Sequence, residues 1–124
     1  MTKEEALEFK QRWQFVNDFI AEEIRTTKPD IMKAYAELHH ANSSSVHLDA
    51  KARELIALAV SVTLRCDGCI NAHTDAAIKA GATKEEISEA LSVAIMVNAG
   101  AALVYSARTI DAFDTYTQPA GAQS

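Results

Sequence analysis

The chain has 124 residues, of which 48 % are hydrophobic, with four Gly, two Pro, two Cys and a formal net charge of −5. This length predicts a single domain, and the scarcity of turn residues favours an all-α fold over a β-sandwich. The negative charge argues against a nucleic acid or an anionic membrane as a partner. Since the sequence has no run of 18 apolar residues and its first residues do not resemble a signal peptide, we expect a cytoplasmic protein without a membrane partner.

Two helices are predicted before the first loop. Residues 3–27 carry apolar side chains at helical spacing, and Thr2 with Glu5 forms a capping box that marks the start of this helix. A shorter helix is predicted over residues 31–41, and the Asn-Ser-Ser-Ser stretch at 42–45 is the clearest loop. Three histidines near this loop lack the i,i+4 spacing of helical metal ligands, so we predict no metal site there.

Residues 49–65 form the most apolar segment and are predicted to be a buried helix. Asp49 is a suitable N-cap and helix-forming residues follow it, which outweighs a strand reading of the Val-Ser-Val-Thr-Leu run. Hydrophobic residues lie nearly all round the helix, which indicates burial on most sides. Glu54 lies at the polar end of this helix. It has either a functional role or an ordinary ion pair with Lys51 or Arg53.

The next predicted helix spans residues 66–80 and begins with both cysteines of the chain as C-x-x-C. Gly68 places Cys66 near the first turn, because Gly is unfavourable further inside a helix. At 100° per residue, Cys66, Cys69 and His73 share one apolar face. We therefore expect both thiols and the imidazole to point into the fold.

The C-terminal part of the chain is predicted to hold two further helices. Thr83 and Glu86 form a second capping box, and apolar residues at helical spacing follow it. Small residues at 98–100 interrupt this pattern before a final helix. The whole prediction is about six helices in one domain over residues 1–116, with a disordered tail at 117–124.

The segments around the cysteines predict a central antiparallel helical hairpin. If the chain reverses at residues 65–66, Glu54 lies about 16 Å and His73 about 11 Å from the turn, at 1.5 Å per residue. A Glu side chain spans the difference, through one water if needed. A relay from Glu54 through His73 and Cys69 to Cys66 is therefore sterically feasible.

These residue types suit thiol redox chemistry. A thiolate is the attacking species, and a helix N-terminus with a nearby base raises the thiolate fraction of a thiol whose ordinary pKa is about 8.5. A second thiol three residues away then closes a disulfide. Two alternatives stay open: a zinc site, for which Cys66, Cys69 and His73 supply only three of the four usual ligands, and a pair of inert buried thiols.

The pattern E-x11-C-x2-C-x3-H, met by Glu54, Cys66, Cys69 and His73, resembles the alkyl hydroperoxide reductase D (AhpD)-like branch of the carboxymuconolactone decarboxylase family. The run from Ile70 to Ile87 is also similar to that family, and the resemblance covers about half of the chain. AhpD carries two copies of the helical unit, whereas this chain has one and is closer to the small single-unit members. The decarboxylase members generally lack the cysteine pair.

The resemblance implies an all-α, AhpD-like helical bundle that assembles as a hexamer or, next, a trimer. It implies a peroxidase or disulfide reductase in which Glu54 and His73 relay a proton to Cys69, with Cys66 as the partner thiol. We expect a hydroperoxide or disulfide substrate, a cellular thiol as reductant, and no metal or organic cofactor. The alternatives are a lyase of the decarboxylase type that acts on a small carboxylated lactone, and a non-catalytic helical oligomeric module.

Overall fold

The computed structural model describes residues 2–121 and consists of five helices. No strand occurs within these residues. The all-α prediction is confirmed, with five helices rather than about six. The helices are α1 (Lys3–Thr27), α2 (Pro29–Ser43), α3 (Ala50–Leu64), α4 (Asp67–Lys79) and α5 (Lys84–Thr117).

Side-chain oxygens cap the starts of three helices. The capping boxes at Thr2 and Thr83 are both formed, and the Asp49 side chain accepts a hydrogen bond from the backbone N–H of Ala52. Each cap satisfies a backbone donor that has no partner within its helix. Gly81, at φ 87°, follows α4 in the left-handed conformation.

The prediction of two helices after residue 83 is wrong, because α5 runs without a break from Lys84 to Thr117. At the predicted interruption, residue 98 lies inside α5. Its side chain donates to the Ala94 carbonyl of the same helix and to Thr63 Oγ1 of α3. A single Gly costs a helix only about 1 kcal/mol relative to Ala, and Gly100 has Ala on both sides. The loss of the apolar pattern therefore marks a change in packing rather than a helix end.

Helices α3, α4 and α5 form the centre of the molecule. The chain reverses at Arg65, so α3 and α4 pack antiparallel. Helix α5 runs parallel to α3, since Lys51 pairs with Glu86 at one end and Thr63 bonds to Asn98 at the other. Helix α1 packs against α4 and α2, and within residues 2–121 α2 has α1 as its only close helical neighbour.

The core of the single chain is small. Among the described residues, the buried side chains are Leu58, Ser61, Ala77 and Ala94. The accessible surface is 10198 Å² for a mass of 13.5 kDa. A compact monomer of this mass exposes about 6,500 Å². The chain therefore leaves a large apolar area uncovered, with exposed large hydrophobic side chains on all five helices.

Helix α5 is also long and apolar enough, by length and composition, to cross a membrane. Its first half packs on α3 and contains the buried Ala94. It begins with three acidic residues in its first two turns and carries three charged residues in its second half. The sequence has no uninterrupted run of 18 apolar residues, but the mean hydropathy over 18 residues of α5 is high because its polar residues are few.

The predicted domain boundary lies close to the end of α5, at Thr117. Residues 118–121 follow it without helical structure. Residues 122–124 of the predicted tail lie outside the described residues, so the division into a domain and a disordered tail stays a prediction.

Candidate active site

The turn between α3 and α4 positions both cysteines. Arg65 ends α3 in the left-handed conformation, at φ 55°, and Cys66 is the N-cap of α4. The sulfur of Cys66 accepts a hydrogen bond from the backbone N–H of Cys69 at 3.2 Å. Gly68 packs closely against α1, since a Cβ at this position would lie 2.9 Å from the exposed side-chain amide of Asn17, which would have to shift.

Cys66 and Cys69 are joined in a disulfide, with their Cα atoms 5.2 Å apart. The structure therefore represents the oxidised protein. The same Cys69 N–H, in the first turn of α4, would stabilise negative charge on the Cys66 sulfur once the disulfide is reduced.

Glu54 and His73 form the second half of the site. His73 Nδ1 lies 2.7 Å from Glu54 Oε2, across the α3–α4 hairpin. The two side chains are partly screened, with 33 % of His73 and 25 % of Glu54 exposed. The direct contact that the hairpin geometry predicted is present, without a bridging water between these two atoms.

The alternative partners proposed for Glu54 are engaged elsewhere. Lys51 pairs with Glu86 at 2.8 Å, and the Arg53 guanidinium donates to the backbone carbonyls of Ser43 and Asn42. The ion-pair interpretation of Glu54 is therefore wrong, and its carboxylate is directed at the imidazole. Arg53 instead holds the C-terminal end of α2 beside the start of α3.

The Glu54 carboxylate fixes the chemical role of the imidazole. With His73 neutral, Nδ1 carries the proton and donates to the carboxylate, which leaves Nε2 as an acceptor. If Nε2 takes up a proton, the carboxylate stabilises the resulting imidazolium. This arrangement is suited to a base that accepts a proton from a neighbouring thiol.

One cavity of about 630 Å³ connects these groups. Glu54, Cys69 and His73 line it together, whereas Cys66 lies outside its lining. The rest of its wall is mostly apolar and comes from α2, α3 and the loop between them. These residues are Tyr35, Leu38, His39, Asn42, Ser43, Ser45, Leu48, Arg53, Ile56, Ala57, Val60, Ser61 and Leu64.

The structure places the four predicted site residues along the α3–α4 hairpin, with both cysteines at the turn and the His73–Glu54 pair further from it. The contribution of α2 to the cavity was not predicted from the sequence, although its apolar residues Tyr35 and Leu38 were a usable signal. The role of Arg53 had no such signal, because its partners are backbone carbonyls. Within residues 2–121, no cluster of three or more His, Cys, Asp or Glu side chains is arranged to hold a metal ion.

The fold and the site define a class: small all-α proteins in which a helix N-terminus carries a cysteine pair beside a His–Glu pair. Comparison with known proteins identifies the family. Residues 29–112, from α2 to near the end of α5, match the model of the carboxymuconolactone decarboxylase family. The chain belongs to the carboxymuconolactone decarboxylase family, which confirms the resemblance drawn from its sequence.

Relatives of the chain fall into curated sequences and solved structures. An uncharacterized protein of Haemophilus influenzae is 50 % identical over 85 residues, which are 68 % of this chain and 75 % of that protein. An uncharacterized protein of Cupriavidus necator is 32 % identical over 87 residues, covering 70 % and 77 % of the two chains. The names of these two relatives state no activity.

Two crystal structures share the fold. A carboxymuconolactone decarboxylase family protein from Legionella pneumophila has a TM-score of 0.67 and 32 % identity, and the match covers 90 % of this chain and 98 % of that one. A protein from Methanobacterium thermoautotrophicum has a TM-score of 0.64 and 31 % identity over 73 % and 97 % of the two chains. Because α5 lies almost wholly within the family match, its apolar length belongs to the shared fold.

Proposed function

We propose that the protein is a thiol-dependent peroxidase or disulfide reductase of the AhpD-like type. One observation carries this proposal: Cys69, disulfide-bonded to Cys66, lines the same cavity as the hydrogen-bonded His73–Glu54 pair. A thiol, a base and a carboxylate that orients the base are the groups that thiol activation requires. Glu54, Cys66, Cys69 and His73 are the proposed catalytic residues.

In the proposed peroxidase reaction, His73 accepts the thiol proton of reduced Cys69. The Cys69 thiolate attacks one oxygen of the hydroperoxide, and the O–O bond breaks. The leaving alkoxide takes up a proton and departs as the alcohol, leaving a sulfenic acid on Cys69. Cys69 is placed first because it lines the cavity, whereas Cys66 does not.

Cys66 then completes the oxidation. Its thiolate, beside the N–H groups at the start of α4, attacks the sulfur of the Cys69 sulfenic acid. Hydroxide leaves with a proton as water, and the Cys66–Cys69 disulfide forms. In total, one hydroperoxide and two thiols give one alcohol, one water and one disulfide.

A thiol donor restores the resting enzyme. Two donor thiols, or one dithiol, reduce the Cys66–Cys69 disulfide by exchange and become oxidised to a disulfide themselves. Run in the other direction, the reduced pair acts as a reductase of an external disulfide. In this proposal the reaction uses no metal or organic cofactor and takes place in the cytoplasm, where thiol donors are kept reduced.

Steady-state turnover of a hydroperoxide tests this proposal. Wild type, Cys66→Ser, Cys69→Ser and His73→Ala are supplied with a dithiol donor and an organic hydroperoxide. We expect both cysteine variants to lose turnover, and we expect His73→Ala to lose about 100-fold or more, as for removal of a general base. Full turnover in both single-cysteine variants would rule the mechanism out.

A lyase of the decarboxylase type is the second candidate. The Glu54–His73 hydrogen bond does not need the cysteines, and Arg53 lines the same cavity as a cation that suits a carboxylated lactone. The cysteine pair favours the redox function over this one. Activity on a carboxylated lactone that persists in the Cys66→Ser, Cys69→Ser double variant would favour the lyase instead.

We also propose that the protein works as a homo-oligomer, a hexamer first and a trimer next. The surface of the single chain exceeds that of a compact monomer by about 3,700 Å². A standard interface buries about 800 Å² on each partner, so this excess is enough for more than one interface. A non-catalytic oligomeric module is the remaining alternative, and unreactive native cysteines would favour it.

A further inference from the structure

The second half of α5 extends beyond the rest of the chain. The bond between Thr63 and Asn98 lies at the end of α3, and α5 continues parallel to α3 past the α3–α4 turn. The segment from Asn98 to Thr117, called here the α5 extension, is about 28 Å long at 1.5 Å per residue. Every residue of the α5 extension is exposed.

The α5 extension is too apolar to remain in water. Its exposed large side chains are Leu103, Val104, Tyr105, Ile110, Phe113 and Tyr116. Because α5 is one continuous helix, the extension cannot fold back onto its own α2 or α3. A second molecule has to cover it.

The site cavity also has an exposed apolar surface. It opens to solvent along a rim of exposed apolar side chains, among them Leu38 of α2 and Val60 and Leu64 of α3. A thiolate and a His–Glu pair work best where bulk water is excluded. The single chain provides the wall of the site but leaves one side of it uncovered.

We propose that the α5 extension of a second copy lies in the site cavity, between α2 and α3, so that each site is completed by its neighbour. The occupant is another copy of this chain because the exposed excess of about 3,700 Å² is of the size that stable assemblies bury. When two copies meet at their α3–α4 turns, an extension of about 28 Å reaches past Glu54, which lies about 16 Å from the turn.

Charge supports this orientation. The last two turns of the α5 extension carry Asp111 and Asp114, with Arg108 one turn earlier, and the cavity lining carries Arg53 and His39 besides Glu54. In the head-to-head arrangement the end of the extension enters the cavity most deeply, which brings these acidic and basic groups together. Ile110 and Phe113 then face the apolar rim, where they narrow the entrance to Cys69.

Photo-cross-linking of the full chain tests the arrangement without any assay of activity. Leu38 is replaced by p-benzoylphenylalanine, and the irradiated protein is analysed on a denaturing gel and by peptide mapping. We expect covalent dimers in which position 38 is linked to the segment 98–117 of another copy. The same replacement at Ile78, an exposed apolar residue of α4 outside the cavity, is the control and should not link to that segment.

A pair of variants gives a second measurement. Phe113→Asp places a charge in the proposed contact, and Thr115→Asp places one on the opposite side of the same helix. Since both side chains are exposed, both variants should keep the helical content of wild type. We expect Phe113→Asp to lower the assembly mass and to raise the alkylation rate of reduced Cys69 several-fold, with Thr115→Asp unchanged.

The possible outcomes distinguish the shared site from the proposed function. Only the effect of the shared site on catalysis rests on the proposed function. Links from position 38 to another segment, or confined to the same chain, overturn the shared site. An unchanged mass and alkylation rate in Phe113→Asp overturn it as well. If the cross-links appear but no hydroperoxide is turned over, the shared site stands and the peroxidase proposal fails.

Discussion

The proposed chemistry depends on the hydrogen bond between His73 Nδ1 and the Glu54 carboxylate. This contact joins two residues that are 19 positions apart and fixes which imidazole nitrogen can accept a proton. The chain reaches this contact through the left-handed Arg65, which turns α4 back along α3. The position of the base relative to Cys69 is therefore set by the hairpin and not by a flexible loop.

Substitution of Glu54 should separate orientation from charge. Glu54→Gln keeps an oxygen that can accept the Nδ1–H, whereas Glu54→Leu removes the acceptor. We expect peroxide turnover to fall about 100-fold in Glu54→Leu, at the low end of the range for general-base catalysis, and to fall less in Glu54→Gln. Rates measured over the pH range should show the larger loss in Glu54→Leu; equal rates in both variants and wild type would contradict the relay.

Gly68 should be coupled energetically to Asn17. A Cβ at position 68 would lie 2.9 Å from both polar atoms of the exposed Asn17 amide, so in Gly68→Ala this side chain should shift and the variant should gain less stability than helix propensity alone would give. With Asn17→Ala already present, the same change should stabilise the protein by up to about 1 kcal/mol, because Ala is the better helix former. Chemical denaturation of the four proteins at one concentration measures this coupling, and additive effects would contradict it.

At the residue scale the sequence predicts which of these side chains lie near one another, and their catalytic roles stay a prediction. The spacing of Cys66, Cys69 and His73 places them on one face of a helix, and the hairpin brings Glu54 to them. Arg53 could not be predicted, since it bonds to the carbonyls of Asn42 and Ser43, and backbone partners leave no trace in side-chain identity. Its contacts depend on the path of the loop between α2 and α3.

Among the helices, the capped starts were predicted correctly, whereas a helix end was wrongly predicted at residues 98–100. Capping boxes at Thr2 and Thr83 and the cap at Asp49 are local signals, formed by side chains three residues from their partners. The supposed break at residues 98–100 is not a local stop signal. It marks the point where α5 leaves α3, and whether a helix continues without a neighbour depends on packing that one chain does not contain.

The ion pair between Lys51 of α3 and Glu86 of α5 should make the stability of the protein depend on pH. The hydrogen bond between them lowers the pKa of Glu86 below its ordinary value and raises the pKa of Lys51 above its own. The Glu86 contribution to stability is thus present above its ordinary pKa of 4.5 and is lost as the pH falls through its lower folded value. The Lys51 contribution is lost only as the pH rises through its raised value.

Lys51→Met tests this pair. At pH 7 the variant should have a lower Tm than wild type, and the difference should shrink as the pH is lowered through the range in which Glu86 takes up a proton. Lys33→Met, at an exposed lysine of α2, controls for the loss of one positive charge. A Tm difference for Lys51→Met that stays constant between pH 7 and pH 3 would show that the ion pair does not contribute.

For the whole molecule, the single chain leaves much of its apolar surface exposed. Exposed large hydrophobic side chains lie on all five helices, and three of the four buried side chains within residues 2–121 are Ala or Ser. The sequence indicated this through the apolarity of its helices, but it could not tell which faces meet within a chain and which meet between chains. That distinction depends on the assembly, since the same apolar pattern serves both kinds of contact.

The mass of the protein in solution should show whether other copies cover this exposed apolar surface. We expect light scattering at micromolar concentration to give a species of about six times the chain mass of 13.5 kDa, or three times for the trimer. Dilution should not release a stable folded monomer, because the exposed apolar surface would be left in water. A monodisperse, folded monomer would contradict both the assembly and the shared site.

A single-turnover oxidation tests the central claim most directly. Fully reduced protein receives one equivalent of an organic hydroperoxide, and the alcohol released, the free thiols and the intact mass are followed together. The mechanism predicts one alcohol and one Cys66–Cys69 disulfide per chain, and in Cys66→Ser a sulfenic acid on Cys69 that goes no further. If the hydroperoxide oxidises the pair no faster than it oxidises a free thiol in solution, or gives no alcohol in step with the disulfide, the assignment as a thiol peroxidase is wrong.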